Sequence, residues 1–504
     1  VPRLSELLTA AGIDASLLVD PPVERIDYDS RRCQPGSLFV AISGFHVDGH
    51  GLAADALRRG AVGVVAEHPL ERRVGEAVPV VVVPSTRVAL SALAAAFHGE
   101  PSRHLEVAGV TGTDGKTTTA TMLWAAWRAA GIPAASLTTV DWRAGDGVAP
   151  NPTRQTTLEA VELHERLRDL RERGCTHVAL ETSSHGLELH RVDDISYRAA
   201  VYTRITSEHL DLHGSREAYL RAKARLLGIV SRHPDGVGVL DAADTFAMPL
   251  LAQIAVARRL TYSTDPDVGA DLTARDIRSS AEGVRFRART PWGDEEVHLQ
   301  VPGRFNAANA LAALAAACAT GAPLRDAVSG IGGLRHVTGR MERVDLGQPF
   351  NVVVDYAHTA ESLDKVLREL RPATPGRLWV VFGSAGERDV EKRPAMGAVA
   401  ATLADVAVIT DEDPRGEDRF RILEDIAAGA TGAGGRRGET VVVHPDRRDA
   451  IRFAIGNAAP GDTVLCAGKG HEGSLIVGST PLPWDERSVV EAAIRERLSE
   501  AGSA

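Results

Sequence analysis

Short apolar runs alternate with amphipathic stretches along most of the chain, and the period changes twice. In the first hundred residues the runs Leu38 to Ile42, Ala61 to Ala66 and Val78 to Val83 predict strands, and the stretch Gly51 to Arg59 predicts a helix. A second series begins with the run Leu105 to Val110, followed by a helical stretch, Thr117 to Ala130. A further helix, Leu158 to Glu172, leads into THVALE, and the next strand is Ala199 to Ile205. Strict alternation then appears over Val284 to Arg289 and Val297 to Val301, with Pro291 to Asp294 between them, which predicts an antiparallel hairpin. An alanine-rich helix, Asn306 to Ala319, follows. From about Gly339 apolar strands (352–355, 378–382, 406–410, 441–444, 464–467) alternate with helices (362–371, 394–403, 420–429, 447–457), the pattern of a doubly wound parallel sheet.

The pattern breaks at Gly99-Glu100-Pro101-Ser102 and again at Gly332 to Gly339. With 504 residues and roughly 150 per domain, the expectation is an α/β protein of three domains, 1–97, 98–334 and 335–504. The first is a small α/β domain, the second a P-loop ATPase-like domain and the third a Rossmann-like doubly wound domain. No apolar stretch approaches the ~20 residues that span a bilayer, so membrane insertion is not expected. A net charge of -10 argues against a general nucleic-acid binder and requires any anionic ligand to be met by local cations. Cys33, Cys175, Cys318 and Cys466 form no CxxC pair, which suits buried thiols in a reducing cytoplasm rather than zinc or disulfides. The amphipathic N-terminus carries acidic residues and does not read as a secretory signal.

Candidate chemistry concentrates where the second series begins. The strand ending at Val110 opens into Gly112-Thr113-Asp114-Gly115-Lys116-Thr117-Thr118 and then a helix. Two glycines allow a tight turn with inward N–H groups, the helix N-terminus favours negative charge, Lys116 adds a mobile cation and Thr117 a hydroxyl for magnesium. Val110 stands where the commonest nucleotide loop has its first glycine, yet the strand-loop-helix context points to ATP. Glu181 ends the next apolar strand, the position of a magnesium-binding acid. In the third region DYAHT, GSAGERD, DEDPR and GKGHE follow strands, where a doubly wound sheet binds ligands. TGAGGRRG, residues 431–438, reads as a mobile surface loop. Asp29, Ser30, Arg31 and His46 read either as surface polarity or as a ligand cluster.

GVTGTDGKTTT, ETSSHGLELHRV, HLDLHG with the later RAKARLLG, GRFNAAN, GRMERV, VVDYAHT, GERDVEKRP and AGKGHE, in this order, resemble the Mur ligase family, and DSRRCQPGSLFVAISGFHVDGH resembles its uridine-nucleotide domain. The likeness runs nearly the full length and is strongest to the type that adds a diamino acid to UDP-N-acetylmuramoyl-L-alanyl-D-glutamate in peptidoglycan precursor synthesis. It implies an amide ligase in which ATP phosphorylates a glutamyl carboxylate, an amine attacks the acyl phosphate, and ADP and phosphate leave. The resemblance further implies catalytic roles for Lys116, Glu181, His209 and Lys223, with Thr117, Glu181, His209 and a carbamylated Lys223 around Mg2+. ATP contacts are implied for Asn306, Asn309, Arg340, Asp355 and His358 besides the loop. Ser30, Phe45, His46, Thr156, Thr157, Ser183 and Arg191 are implied for the UDP-sugar dipeptide, and Arg388, Asp413, Arg415, Gly468 and Glu472 for the amino acid. Read alone, Lys223 would be a solvated helix lysine, and Asn306 and Asn309 helix caps.

Diaminopimelate enzymes of this type usually read Asp-Asn-Pro-Arg where this chain has Glu412-Asp413-Pro414-Arg415. Arg415 suits a distal carboxylate and Asp413 an ammonium, and the balance falls slightly to lysine or ornithine over meso-diaminopimelate. Asp114, Arg204, Glu208, Leu189 and Ala360 also depart from the family pattern without removing a charge that phosphoryl transfer needs. Rival readings are another ligase of the superfamily, a nucleotide-driven switch and an inactive scaffold. The partners expected are small molecules only, with no nucleic acid, and the chain is expected to be a cytoplasmic monomer whose third domain closes on ATP about residues 332–339.

Overall fold

The computed structural model describes residues 1–44, 47–70, 78–153, 155–206, 208–280 and 282–502. The chain forms two compact units. The first comprises Val1–Thr273, Thr290–Trp292 and Ala310–Gly330, and the second Ala274–Arg289, Gly293–Asn309 and Ile331–Ala504. Residues 1–97 and the phosphate-loop region thus share one unit, although each has its own sheet.

The first sheet is parallel, in the order β1 (Arg25–Asp27), β2 (Ser37–Val40), β3 (Ala61–Ala66) and β4 (Val80–Val82). Leu38, Val65 and Val81 are buried beside Leu4 and Leu93 of flanking helices, so the apolar runs that marked these strands are the core itself. Ser85 accepts a hydrogen bond from the Val88 N–H and starts the helix Thr86–Phe97, which carries Leu90 and Leu93 inward.

In the larger sheet of this unit, β5 (Glu106–Thr111) lies between β9 (His177–Glu181) and β10 (Tyr197–Tyr202), all parallel. Beyond β9 come β6 (Ala134–Leu137), β7 (Asp141–Ala144) and β8 (Gly147–Pro150), the last two antiparallel. Beyond β10 come β11 (Val237–Asp241) and β12 (Arg258–Ser263). The chain leaves β5 and returns on either side of it, so the crevice at the carboxyl end of β5 is a topological switch point, where α/β sheets bind ligands. The strands β13 (Leu272–Ser280), β14 (Gly283–Thr290) and β15 (Gly293–Leu299) follow in the chain, and the expected hairpin turns at Pro291-Trp292. Alternation in β14 is visible in its burial, with Val284, Phe286 and Ala288 inside and Arg285, Arg287 and Arg289 outside.

The second unit carries a sheet in the order β16 (Glu342–Arg343), β17 (Asn351–Asp355), β21 (Thr463–Ala467), β18 (Leu378–Phe382), β19 (Val406–Ile409) and β20 (Val441–Val443), parallel except for β16. The last parallel strand, β21, inserts between β17 and β18 and so brings GKGHE beside DYAHT. A hairpin, β22 (Ser474–Val477) and β23 (Thr480–Pro483), follows at once. Of the segment 431–438, the helix Arg419–Gly432 takes the first two residues and the rest is a mostly exposed surface loop, in which Arg437 makes a two-pronged ion pair to Glu424.

The helix Ala160–Glu172 carries a histidine in its buried stripe. In the helix Ala160–Glu172 the buried stripe is Ala160, Leu163, His164, Leu167 and Leu170, and among the described residues neither ring nitrogen of His164 has a hydrogen-bond partner. Burial, with a smaller contribution from His98, holds its pKa down at about 3. In the unfolded chain the same group titrates near 6.5, so stability is full above that pH and is lost as pH falls toward 3, because only the unfolded state takes the proton. At pH 5 the loss is about 2 kcal/mol. Urea unfolding at pH 7.5 and pH 5 should show His164→Leu recovering about that amount of the difference; an equal loss in both proteins would contradict this assignment.

Candidate functional site

The phosphate loop is shaped by its glycines. Gly112 has φ +153° and Gly115 +83°, and a Cβ on Gly112 would stand 1.8 Å from Thr203 Oγ1. Only glycine fits there. The loop is tied to the end of β10: Thr113 N–H donates to the Arg204 carbonyl (2.8 Å), and Thr203 Oγ1 donates to the Asp114 carbonyl (2.6 Å). The helix Lys116–Ala129 then begins, so its free N–H groups lie next to the loop. Lys116 Nζ donates to the carbonyls of Gly112 (3.1 Å) and Thr113 (2.7 Å). Thr118 is buried in the first turn.

Glu181 is the hub of the site. It is 1 % exposed at the end of β9, and its Oε2 accepts from Thr117 Oγ1 (3.0 Å) and from the Thr139 N–H (2.9 Å). Thr139 Oγ1 donates to Thr156 Oγ1 (3.0 Å). Thr157 Oγ1 donates to the Glu181 carbonyl (3.1 Å), lies 3.1 Å from Ser183 Oγ and accepts from the Ser183 N–H. Arg191 reaches the Thr157 carbonyl (3.0 Å) and pairs with Glu159 at 2.5 Å. Burial raises the Glu159 carboxyl, opposed by Arg191 and Arg87. Four residues assigned from sequence to the sugar-dipeptide thus form one wall with the expected magnesium acid. Thr117 and Glu181 supply oxygen donors, the chemistry that magnesium prefers.

Lys223 is no solvated lysine. It is 1 % exposed, its Nζ donates to the Gly112 carbonyl at 2.8 Å, and it lies 4.5 Å from the centre of the Tyr219 ring. Tyr219 and Lys223 share the buried face of the helix Arg216–Val230, four residues apart. The Tyr219 hydroxyl lies 3.1 Å from Thr113 Oγ1. Burial, then Lys116, pushes the Lys223 amine well below the usual lysine range, against Glu208, Glu181 and Asp114, which raise it. His209, with φ +54°, packs edge-on against His185 at 4.5 Å, and its Nε2 is 3.7 Å from Glu208. His185 lies in the helix that follows Glu181, which brings His209 to this end of the sheet.

In the second unit Asp355, at the end of β17, accepts from the N–H groups of Met341 (2.7 Å) and Ala357 (2.8 Å). The Arg340 guanidinium lies 4.5 Å over the Tyr356 ring, and its buried Nε has no partner among the described residues. His358 Nδ1 meets the Tyr356 carbonyl (2.8 Å), and Lys392 donates to the His358 carbonyl. Asn306 is buried and donates to the Pro302 carbonyl, while Asn309 donates to Asn306 Oδ1 (2.8 Å), so both face inward instead of capping an exposed end.

The loops after β18, β19 and β21 hold the residues assigned to the amino acid. Lys469, 0 % exposed, donates to Asp413 Oδ1 (2.8 Å) and to Glu472, and Tyr356 donates to Glu472 (3.2 Å). Arg415 sits at φ +53°, and Gly468, at +105°, has the Glu412 side chain where a Cβ would point. Glu412 is buried, and burial raises its carboxyl against Lys392, His358 and Lys469. Arg388 is exposed on the preceding loop.

Some expectations fall elsewhere. Ser30 is buried and donates to Asp55 (3.0 Å), while Asp29 and Arg31 pair with each other at the start of a short 3-10 helix, so that cluster is satisfied locally. Phe45 and His46 lie outside the described residues. Sequence reading missed Thr139, Tyr219, Glu159, Glu412 and Lys469. The signals were available for two of them: Tyr219 by its four-residue spacing from Lys223, and Lys469 inside GKGHE.

Residues 22–98 match the Mur ligase family catalytic domain, 110–317 the Mur ligase middle domain and 339–470 the Mur ligase glutamate ligase domain. A UDP-N-acetylmuramyl-tripeptide synthetase of Roseiflexus sp. (strain RS-1) is 46% identical over 490 residues, 95% of this chain and 96% of that protein. A UDP-N-acetylmuramoyl-L-alanyl-D-glutamate--2,6-diaminopimelate ligase of Geobacillus kaustophilus (strain HTA426) is 40% identical over 95% of this chain and 96% of that protein. A solved structure of a ligase of that same name aligns over 98% of this chain and 99% of its own, with TM-score 0.69 and 31% identity. With this phosphate loop, its buried acid and lysine, and relatives matched end to end, the chain belongs to the Mur ligase family of ATP-dependent ligases.

Proposed function

We propose that the enzyme joins a diamino acid to UDP-N-acetylmuramoyl-L-alanyl-D-glutamate. The observation that carries this is the continuous wall from Thr117 through Glu181 to Thr156, Thr157, Ser183 and Arg191, which sets a phosphate cradle beside groups suited to an anionic peptide. A glutamyl carboxylate oxygen attacks the γ-phosphorus of ATP and the bond to ADP breaks. The acceptor amine then attacks the acyl carbon, loses a proton, and phosphate leaves with the former carboxylate oxygen. Lys116 and the loop amides stabilise the transferring phosphoryl group, and Arg191 orients the peptide. Thr117, Glu181 and His209 would hold magnesium, which supplies charge neutralisation at the phosphates. We assign Asn306, Asn309, Arg340, Asp355 and His358 to ATP, and Ser30, Phe45 and His46 to the uridine nucleotide.

Lys223 is assigned as a carbamate. Its buried amine lies among metal-site residues, where a cation would oppose magnesium. Attack of the neutral amine on CO2, with loss of a proton, replaces that cation with an anionic oxygen donor. Carbon-13 NMR of protein equilibrated with labelled bicarbonate should give one protein carbamate resonance that disappears in Lys223→Ala; its persistence in that variant would exclude Lys223.

For the acceptor, the ion pair to Lys469 weighs against the sequence-level lean to lysine or ornithine. Asp413 Oδ1 is already engaged by Lys469 and by the Ile476 N–H (2.9 Å), whereas the buried Nε of Arg415 has no partner among the described residues. A guanidinium with an unpaired Nε among the described residues favours a distal carboxylate, as in meso-diaminopimelate. The relatives named as 2,6-diaminopimelate ligases support the same reading. Phosphate release and product mass, measured with meso-diaminopimelate, L-lysine and L-ornithine in turn, should show strong preference for the first. Preference for lysine or ornithine would overturn the acceptor assignment, and no turnover with any of them would overturn the substrate.

A further inference from the structure

The DEDPR loop is joined to the GKGHE loop and the β22–β23 hairpin through one buried ammonium. Lys469 Nζ donates to Asp413 Oδ1 at 2.8 Å, the same oxygen accepts the Ile476 N–H at 2.9 Å, and Ile476 in turn accepts the Arg415 N–H at 3.0 Å. Gly478 N–H closes the set on the Arg415 carbonyl at 2.7 Å. Arg415, at φ +53°, a conformation that costs a non-glycine residue energy, is held by these two backbone bonds to the hairpin, whose Ile476 N–H is itself bound to Asp413. Glu472, the remaining acid assigned to the amino acid, is the second partner of the same lysine.

We propose that Lys469 is the specificity-determining positioning residue of the acceptor site. It gives the aspartate that stands in this loop a cation partner, so that Asp413 does not compete for the ligand's ammonium and Arg415 can meet the distal carboxylate of a dicarboxylic diamino acid. Without that ammonium, Asp413 becomes a free anion beside Arg415, and a monocarboxylic diamino acid with a cationic end is favoured instead. The inference rests on the acceptor reading above and adds the residue that sets it.

The test uses the full-length enzyme with ATP and UDP-N-acetylmuramoyl-L-alanyl-D-glutamate, and reads the ratio of kcat/KM for meso-diaminopimelate to that for L-lysine. Being a ratio, it is insensitive to a general loss of activity. Lys469→Met should lower it by about tenfold or more, and the double variant Asp413→Asn with Lys469→Met should return to within about threefold of the parent. If Lys469→Met does not fold, Asp413→Asn alone should raise the ratio about tenfold, because the ammonium then loses one of its two carboxylate partners. An unchanged ratio in these variants, or a double variant as low as Lys469→Met, would overturn the proposal. A parent enzyme that prefers lysine defeats the acceptor reading alone, since the shift between parent and variant still decides the role of Lys469.

Discussion

The Gly112 carbonyl accepts from two ammonium groups, Lys116 and Lys223, and the rest of the site is arranged so that this crowding is tolerated. Two cations sharing one oxygen repel, and one of them is buried, so the cost falls on Lys223, whose amine is driven toward its neutral form. Glu181, Glu208 and Asp114 offset part of that cost. Gly112 itself cannot be replaced, because Thr203 fills the space a side chain would need. A loop packed against Thr203 on one side and held by the Lys116 ammonium on the other keeps its shape for an incoming polyphosphate without reorganisation.

Much of this was legible in the sequence because periodicity and burial coincide. Ala61–Ala66, Leu378–Phe382 and Asn306–Ala319 appear with the bounds that the apolar pattern predicted, each lying in a core that the pattern alone describes. Glu181 was legible since a carboxylate at the end of an apolar strand has few structural uses. The short strands β6 to β8 were not, as four-residue runs carry too little period to separate from loop. His164 was hidden for the opposite reason: a histidine in an otherwise apolar stripe looks like part of the polar face until burial is known.

The acceptor loops show where residue identity misleads. Asp413 reads as a receptor for a cation until Lys469, 56 positions away, is seen to have taken that role. Strand order explains the meeting: β21 inserts beside β18, which carries β19 on its other edge, so loops distant in sequence emerge at one end of the sheet. A charged side chain has no fixed meaning in sequence because its partner is chosen by topology. Asp29 makes the same point in the first unit, where its carboxylate pairs with Arg31.

The central claim is that this cradle and its buried acid activate a carboxylate as an acyl phosphate. The direct measurement is oxygen transfer, with UDP-N-acetylmuramoyl-L-alanyl-D-glutamate labelled with oxygen-18 in the reacting carboxylate and phosphate analysed by mass spectrometry after turnover. Every phosphate released should carry one labelled oxygen, because the carboxylate oxygen that attacks phosphorus departs with it. Unlabelled phosphate formed in step with the amide product would contradict the account.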